Sequence, residues 1–174
     1  YYHFQNVKDY GAFDYKDSDS FYGNSSRNVG TDEKPVKVYA CEFHEIEGMT
    51  VIGFPFPVFL QSGELFGDYV KNLDPDSDNI GYQVGARLGK LKEPGDIALG
   101  YAYRKLEKDA TMGAMTDSDW WGGGTDGKGH QVKAGYQLMK NWTLNLKYFF
   151  KNTKSMSKSE IDYDRFQLDL VANF

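Results

Sequence analysis

Residues 131–151 read QVKAGYQLMKNWTLNLKYFFK, and two alternations meet in the middle of them. In the first half Val132, Ala134, Tyr136 and Leu138 share one parity, against Gln131, Lys133, Gly135 and Gln137. In the second half Trp142, Leu144, Leu146, Tyr148 and Phe150 stand against Thr143, Asn145, Lys147, Phe149 and Lys151. Strand side chains point alternately to opposite faces, so a period of two marks extended chain with one apolar face. The joint between the halves, Met139-Lys140-Asn141, leaves room only for a tight turn. The stretch is a β-hairpin, bulky and apolar on one face, small, polar or charged on the other.

The same rule recurs on either side. Ile80, Tyr82, Val84, Ala86 and Leu88 alternate with Gly81, Gln83, Gly85, Arg87 and Gly89. Ile97, Leu99, Tyr101 and Tyr103 alternate with Ala98, Gly100, Ala102 and Arg104. The chain closes on Phe166, Leu168, Leu170, Ala172 and Phe174, an apolar parity that runs into the last residue. Helical periodicity is almost absent. Strands are expected at roughly 1–7, 36–47, 58–72, 80–91, 97–107, 129–138, 142–152 and 161–174. The third alternates in two phases on either side of Gly63, which a β-bulge there would reconcile.

The connections sort by length. KEPGD (92–96) and MKN (139–141) are tight turns, whereas 7–35 and 107–129 are long, polar and rich in Gly, Asp and Ser. The shorter polar stretches 73–79 and 152–160 fall in phase with the long ones. Antiparallel strands would therefore carry tight turns at one end and polar loops at the other. The connection near 48–57, GMTVIGFPFP, should be short on this scheme and is not.

Composition narrows the fold class. The 174 residues are 40% apolar yet include 13 Tyr, 12 Phe and 3 Trp. Mean hydropathy is −0.61. Disordered chains are poor in aromatics, so the fold needs much aromatic surface and little dry core. The net charge of −5 gives no electrostatic case for a nucleic-acid partner. A single cysteine, Cys41, excludes an internal disulfide. No apolar run approaches the ~20 residues of a membrane-crossing helix. No secretory leader is evident at YYHFQNVKDY, so either one has been removed or the sequence starts partway through a longer protein.

Two architectures fit an all-β antiparallel chain of this kind. In a soluble sandwich or lipocalin-like barrel the apolar face points inward and its aromatics cluster mid-strand. In a transmembrane barrel the apolar face meets lipid, with aromatics at both ends of the strands. Here Tyr82, Tyr103 and Phe150 fall toward the long-loop end, and Trp142, Tyr136 and Phe174 toward the tight-turn end. That distribution favours the transmembrane barrel. Glycines on the polar face, Gly81, Gly85, Gly100 and Gly135 among them, would underpack a closed eight-stranded barrel.

A terminal alternating strand ending in Phe resembles the last strand of bacterial outer-membrane β-barrels. The resemblance implies that Phe166, Leu168, Leu170 and Phe174 form a signal read by the barrel-assembly machinery. LFGDYVKNL (65–73), the run from Gly81 to Ala110, and TDSDWWGGGTDGKGHQVKAGYQLMKNWTLNLKYFF (116–150) resemble the C-terminal part of the bacterial "putative porin" family. Residues 1–64 match only in style. The resemblance implies a single unit over 1–174 that forms the last portion of a larger barrel of roughly 16 strands. It implies a porin of the Gram-negative outer membrane, passing small hydrophilic solutes or ions by diffusion. No enzymatic activity and no cofactor are expected. Outer-membrane lipid and the assembly machinery are the expected partners, and oligomeric state is left open, a homotrimer included. The competing reading is a small structural or adhesive barrel that binds partners through its loops.

Candidate site residues follow from the strand phases. The polar face is expected to line a pore with Arg87, Arg104, Lys133, Lys147, Lys151 and Arg165. Glu42, His44 and Asp169 oppose them, joined by Asp68 if the third strand bulges. Most acids fall in loops, Asp17, Asp19, Asp74, Asp76 and Asp78 among them, so the wall predicts a weak anion preference. The Gly-rich loop 116–130, with Asp117, Asp119 and Asp126, is a candidate constriction, weighed against a simple hydrated loop. DPDSDN (74–79) opens like a calcium loop but lacks the Gly and Glu an EF-hand needs, so a solvated hairpin loop is expected and no metal site. His44 could in principle meet Ser62, though no motif supports a catalytic pair. Cys41 is expected as a small residue on the apolar face.

Overall fold

The computed structural model describes residues 1–11, 21–55, 60, 62–156 and 159–173. Phe174, Asp17, Asp19 and most of the expected strand start at 58–61 lie outside them. Ten strands are formed: β1 (Tyr2–Phe4), β2 (Ser26–Thr31), β3 (Lys34–Tyr39), β4 (Phe43–Pro55), β5 (Ser62–Asn72), β6 (Ile80–Leu88), β7 (Ile97–Leu106), β8 (Gly127–Met139), β9 (Trp142–Met156) and β10 (Ser159–Ala172). Eight of them make one antiparallel sheet in the order β1-β4-β5-β6-β7-β8-β9-β10, and β2 and β3 pair as a separate hairpin. The all-β antiparallel expectation holds. The sheet is open: β1 and β10 are its two edges and are not paired with each other.

Four details differ from the sequence reading. Residues 48–55 of the expected connection 48–57 are strand, because β4 runs to Pro55 and pairs with β5 from Glu45↔Asn72 to Pro55↔Ser62; 56 and 57 lie outside the described residues. Apolar residues on both of its faces hide the period of two, and Gly48, Gly53 and Pro55 mimic turn punctuation. With β4 extended, the link to β5 falls at the tight-turn end. The expected strand 36–47 is two strands in different sheets, and the expected loop 7–35 contains β2. No register shift interrupts β5 against either neighbour from Ser62 onward, and most of the residues before it that set the other phase lie outside the described residues. The shifts fall instead between Lys128 and His130, Gln137 and Met139, and Tyr163 and Arg165. Finally, β9 and β10 extend to Met156 and from Ser159, so most of the expected loop 152–160 is strand.

Residues directly opposite in neighbouring strands share a face, so the register maps both surfaces. One face carries Ile52, Leu65, Ala86, Tyr101, Val132, Tyr148 and Phe166 in a single row. Below it lie Leu88, Leu99, Ala134, Leu146 and Leu168. This face is apolar and bare: Leu65 is 51% exposed, Leu99 45% and Leu168 58%. Tyr82, Tyr103 and Phe150 gather toward the loop end, and Tyr136 and Trp142 toward the turn end, as the sequence placed them, and Tyr69 joins the first group.

The buried residues lie elsewhere. One cluster joins Val7, Phe21, Tyr39, Cys41, Phe43 and Met112 where β1 and β4 leave the sheet. The second lies on the polar face under the segment between β7 and β8. Cys41 therefore does not sit on the apolar face. It precedes β4 and is buried, and desolvation with the nearby Asp109 carboxylate pushes its thiol up to about 12.

Candidate functional site

The connection between β7 and β8 does not extend into solvent but folds down onto the polar face of the sheet. Trp120 and Trp121 are each 3% exposed and pack on Ala102, Leu106 and Phe149, with Phe66, Val70 and Tyr163 at the margin. Trp120 meets Phe149 edge to face with centroids 5.4 Å apart, a favoured aromatic geometry. The Arg104 guanidinium lies 5.9 Å from both indole centroids, within cation–π range.

Local sequence explains the fold-back. Gly122, Gly123 and Gly124 all take positive φ (80°, 89° and 83°), a turn that side chains resist. The Trp121 Nε1–H donates to the Gly124 carbonyl at 3.0 Å and closes that turn. Gly127 lies directly under the indole, where a Cβ would come within 2.6 Å of Trp121 Cδ2.

Polar groups tie the segment down at both ends. Glu45 accepts from the Thr111 hydroxyl at 2.9 Å and the Met112 amide at 3.0 Å. Asn72 donates to the Asp109 carbonyl at 3.0 Å, and Asn24 to the Lys108 and Thr111 carbonyls at 2.8 and 2.9 Å. The Lys154 ammonium donates to the Gly123 carbonyl at 2.6 Å. At the tip Asp119 reaches Arg165 at 3.2 Å and Lys147 at 3.4 Å, and accepts from Gln167 at 3.2 Å. Burial works against its charge, but these donors and cations outweigh it and hold the carboxyl below its usual range.

The predicted residues distribute as follows. Arg87, Arg104, Lys133, Lys147, Arg165 and Asp169 all fall on the polar face, as does Asp68, without a bulge. His44 falls on the opposite face. It neighbours Glu45, which is the residue that pairs with Asn72 on the polar side, so the phase expected for β4 is shifted by one. His44 instead packs edge-on against His3, with centroids 4.2 Å apart. Glu42 precedes β4 and accepts from the Val7 amide at 3.0 Å. Lys151 sits at the register break with a φ of 50° and belongs to neither row. Asp117 is exposed and accepts from the Asp119 amide at 2.9 Å. Asp126 lies 3.9 Å from Lys108, and its carboxyl is raised by burial, which Lys108 offsets in part. His44 and Ser62 stand at opposite ends of the β4–β5 pair, roughly 36 Å apart at a strand's rise per residue.

Sequence reasoning missed the acids Glu45 and Glu47 on the polar face, through the misjudged phase of β4. It also missed the tryptophan pair as an anchor. Phe149 was the available signal, an aromatic in the middle of an otherwise polar parity. The basic residues are consequently better matched than expected: Arg87 lies 3.6 Å from Glu64, and Lys147 and Arg165 share Asp119.

The sheet is thus bare and apolar on one side, polar on the other and crossed there by an inserted loop. The chain belongs to the "Putative porin" family, whose model matches residues 2–174. Membership implies a porin-like role in the outer membrane. No curated protein and no solved structure matches the chain.

Proposed function

We propose that the chain forms part of the wall of a transmembrane β-barrel in the bacterial outer membrane. The barrel passes small hydrophilic solutes, and the 107–126 segment narrows the passage. The carrying observation is the contrast of the two faces. Apolar side chains, aliphatic and aromatic, line one face in unbroken rows, while Gly, Lys, Arg, Asp and Gln share the other with a docked loop. Lipid accepts the first face, and a water-filled interior accepts the second. Backbone groups cannot be left unpaired in hydrocarbon. β1 covers only Phe43–Glu45 of β4, so closing the edge from Ile46 to Pro55 takes a longer strand than β1. The sequence resemblance supports a barrel of roughly 16 strands, with an open interior.

Planar-bilayer recording on the detergent-purified protein tests the reading. Stepwise conductance in KCl is the expected result. Extraction in buffer without detergent, or a detergent-purified protein that never conducts, overturns it. The second outcome would favour an adhesive barrel acting through its loops.

A further inference from the structure

One row of the polar face crosses the middle of the sheet as Glu64, Arg87, Gly100, Lys133, Lys147 and Gln167, each directly opposite the next. Lys133 and Lys147 are thus like charges in direct cross-strand opposition, which destabilises a sheet unless something neutralises them. Lys147 has Asp119 and Arg87 has Glu64. Lys133 has no ion-pair partner among the described residues.

Space for a ligand adjoins that cation. A cavity of about 460 Å³ opens over Gly100 and Gly135, which present no side chain to fill it. Leu91 closes it from the β6–β7 turn, reaching over Gly135, and Asn145 and Asp169 stand at its far rim. Arg87 faces Lys133 across the Gly100 gap, two strand spacings or about 10 Å away. Among the described residues Asp169 is the one acid that lines the cavity, against Arg87, Lys133 and Lys147.

We propose that this cavity binds the oxyanion group of a small solute, a carboxylate or a phosphate. The group sits between Lys133 and Lys147, with Arg87 closing on it from across Gly100. Among the described residues Lys133 is the unshared cation of the three, Lys147 and Arg87 being shared with Asp119 and Glu64, and their forked and rotatable N–H donors suit an oxyanion with several acceptors. The assignment rests on the polar face being open to solute, and it deepens that reading by naming a substrate class.

The test is direct binding of inorganic phosphate and of acetate to the detergent-purified protein by titration calorimetry, beside bilayer conductance of the same preparation. Saturable binding of either anion is expected. Lys133→Gln removes one charge-assisted contact and should weaken binding about tenfold or more. Gly100→Val should weaken it without changing any charge. Lys128→Gln, on the other face, should leave it unchanged. A conducting protein that binds neither anion, or binds equally well with Lys133→Gln, overturns the site and leaves the diffusion reading intact. Saturable, Lys133-dependent binding by a protein that does not conduct keeps the site and removes that reading.

Discussion

Asp119 and Lys147 meet at 3.4 Å, carboxylate to ammonium, although 28 positions separate them in the chain. The contact joins the tip of the inserted loop to the middle of β9, and Arg165 of β10 completes it from the next strand.

Asp119→Asn should loosen the loop tip without unfolding the sheet. The pair is about one-third exposed, so solvent screens it, and a loss of about 1–2 kcal/mol of local docking energy is expected. Limited proteolysis reads it as faster cleavage within 107–126, with strand content by circular dichroism unchanged. A cleavage rate equal to that of the parent protein would dismiss the latch.

The same contact sets a pH window. A carboxyl depressed in the folded state contributes stability above its unfolded value of about 3.9 and loses it as pH falls through the lower folded value. The Asp119 contribution to proteolytic protection of 107–126, read as the difference between the parent protein and Asp119→Asn, should therefore be flat from neutral pH down to about 4 and fall only below it. Loss of protection between pH 6 and 5 would point to a histidine instead.

Trp120 supplies more of the anchoring than the ion pairs do. Trp120→Ala removes a buried indole from Phe149 and from Arg104, which should cost about 3–5 kcal/mol of docking. With Trp142 replaced by Phe in both proteins, acrylamide should quench the remaining Trp121 far more readily in this variant. Unchanged quenching would mean that Trp121 and the glycine turn suffice alone.

Cys41 should be inert. Its burial and a thiol pushed up to about 12 leave almost no thiolate at pH 8. Iodoacetamide should label it only after denaturation. Stoichiometric labelling of the folded protein would contradict the packing against Tyr39 and Phe43.

Leu168 on β10 and Asn145 on β9 stand on opposite faces of the sheet. Leu168→Lys places a charge on the bare apolar face, a change that costs about 2–4 kcal/mol at mid-bilayer depth. Asn145→Lys faces the polar side directly opposite Asp169 and should be tolerated. Urea midpoints in lipid vesicles compare the two, and equal midpoints would argue against lipid on the apolar face.

What the sequence disclosed depended on how cleanly each strand separates its faces. β6 to β10 alternate bulky apolar with small or polar residues, and their faces were legible residue by residue. β4 was not. Met49 and Val51 share the polar parity with Glu45 and Glu47, so both faces carry apolar side chains and the phase is ambiguous. The run Thr50-Val51-Ile52 still favoured extended chain, and weighting it above Gly53 and Pro55 would have kept the strand intact. The loop lay beyond local pattern altogether. Three glycines read equally well as a hydrated tip or a tight turn. Only contact with Phe149 and Lys147, distant in sequence, decides that Trp120 and Asp119 point down onto the sheet.

The β2–β3 hairpin carries a consequence of a practical kind. Its register closes on Thr31↔Lys34 around the two exposed residues Asp32 and Glu33, and no strand of the large sheet takes part in that turn. It is held at its base, by the Ser25 amide on Asp109 and by Tyr39 edge-on to Phe21. The tip is thus mechanically decoupled from the wall. A peptide epitope spliced between Asp32 and Glu33 would ride on a scaffold whose strand pairing it cannot shift, so this hairpin is a natural graft point for displaying foreign sequence.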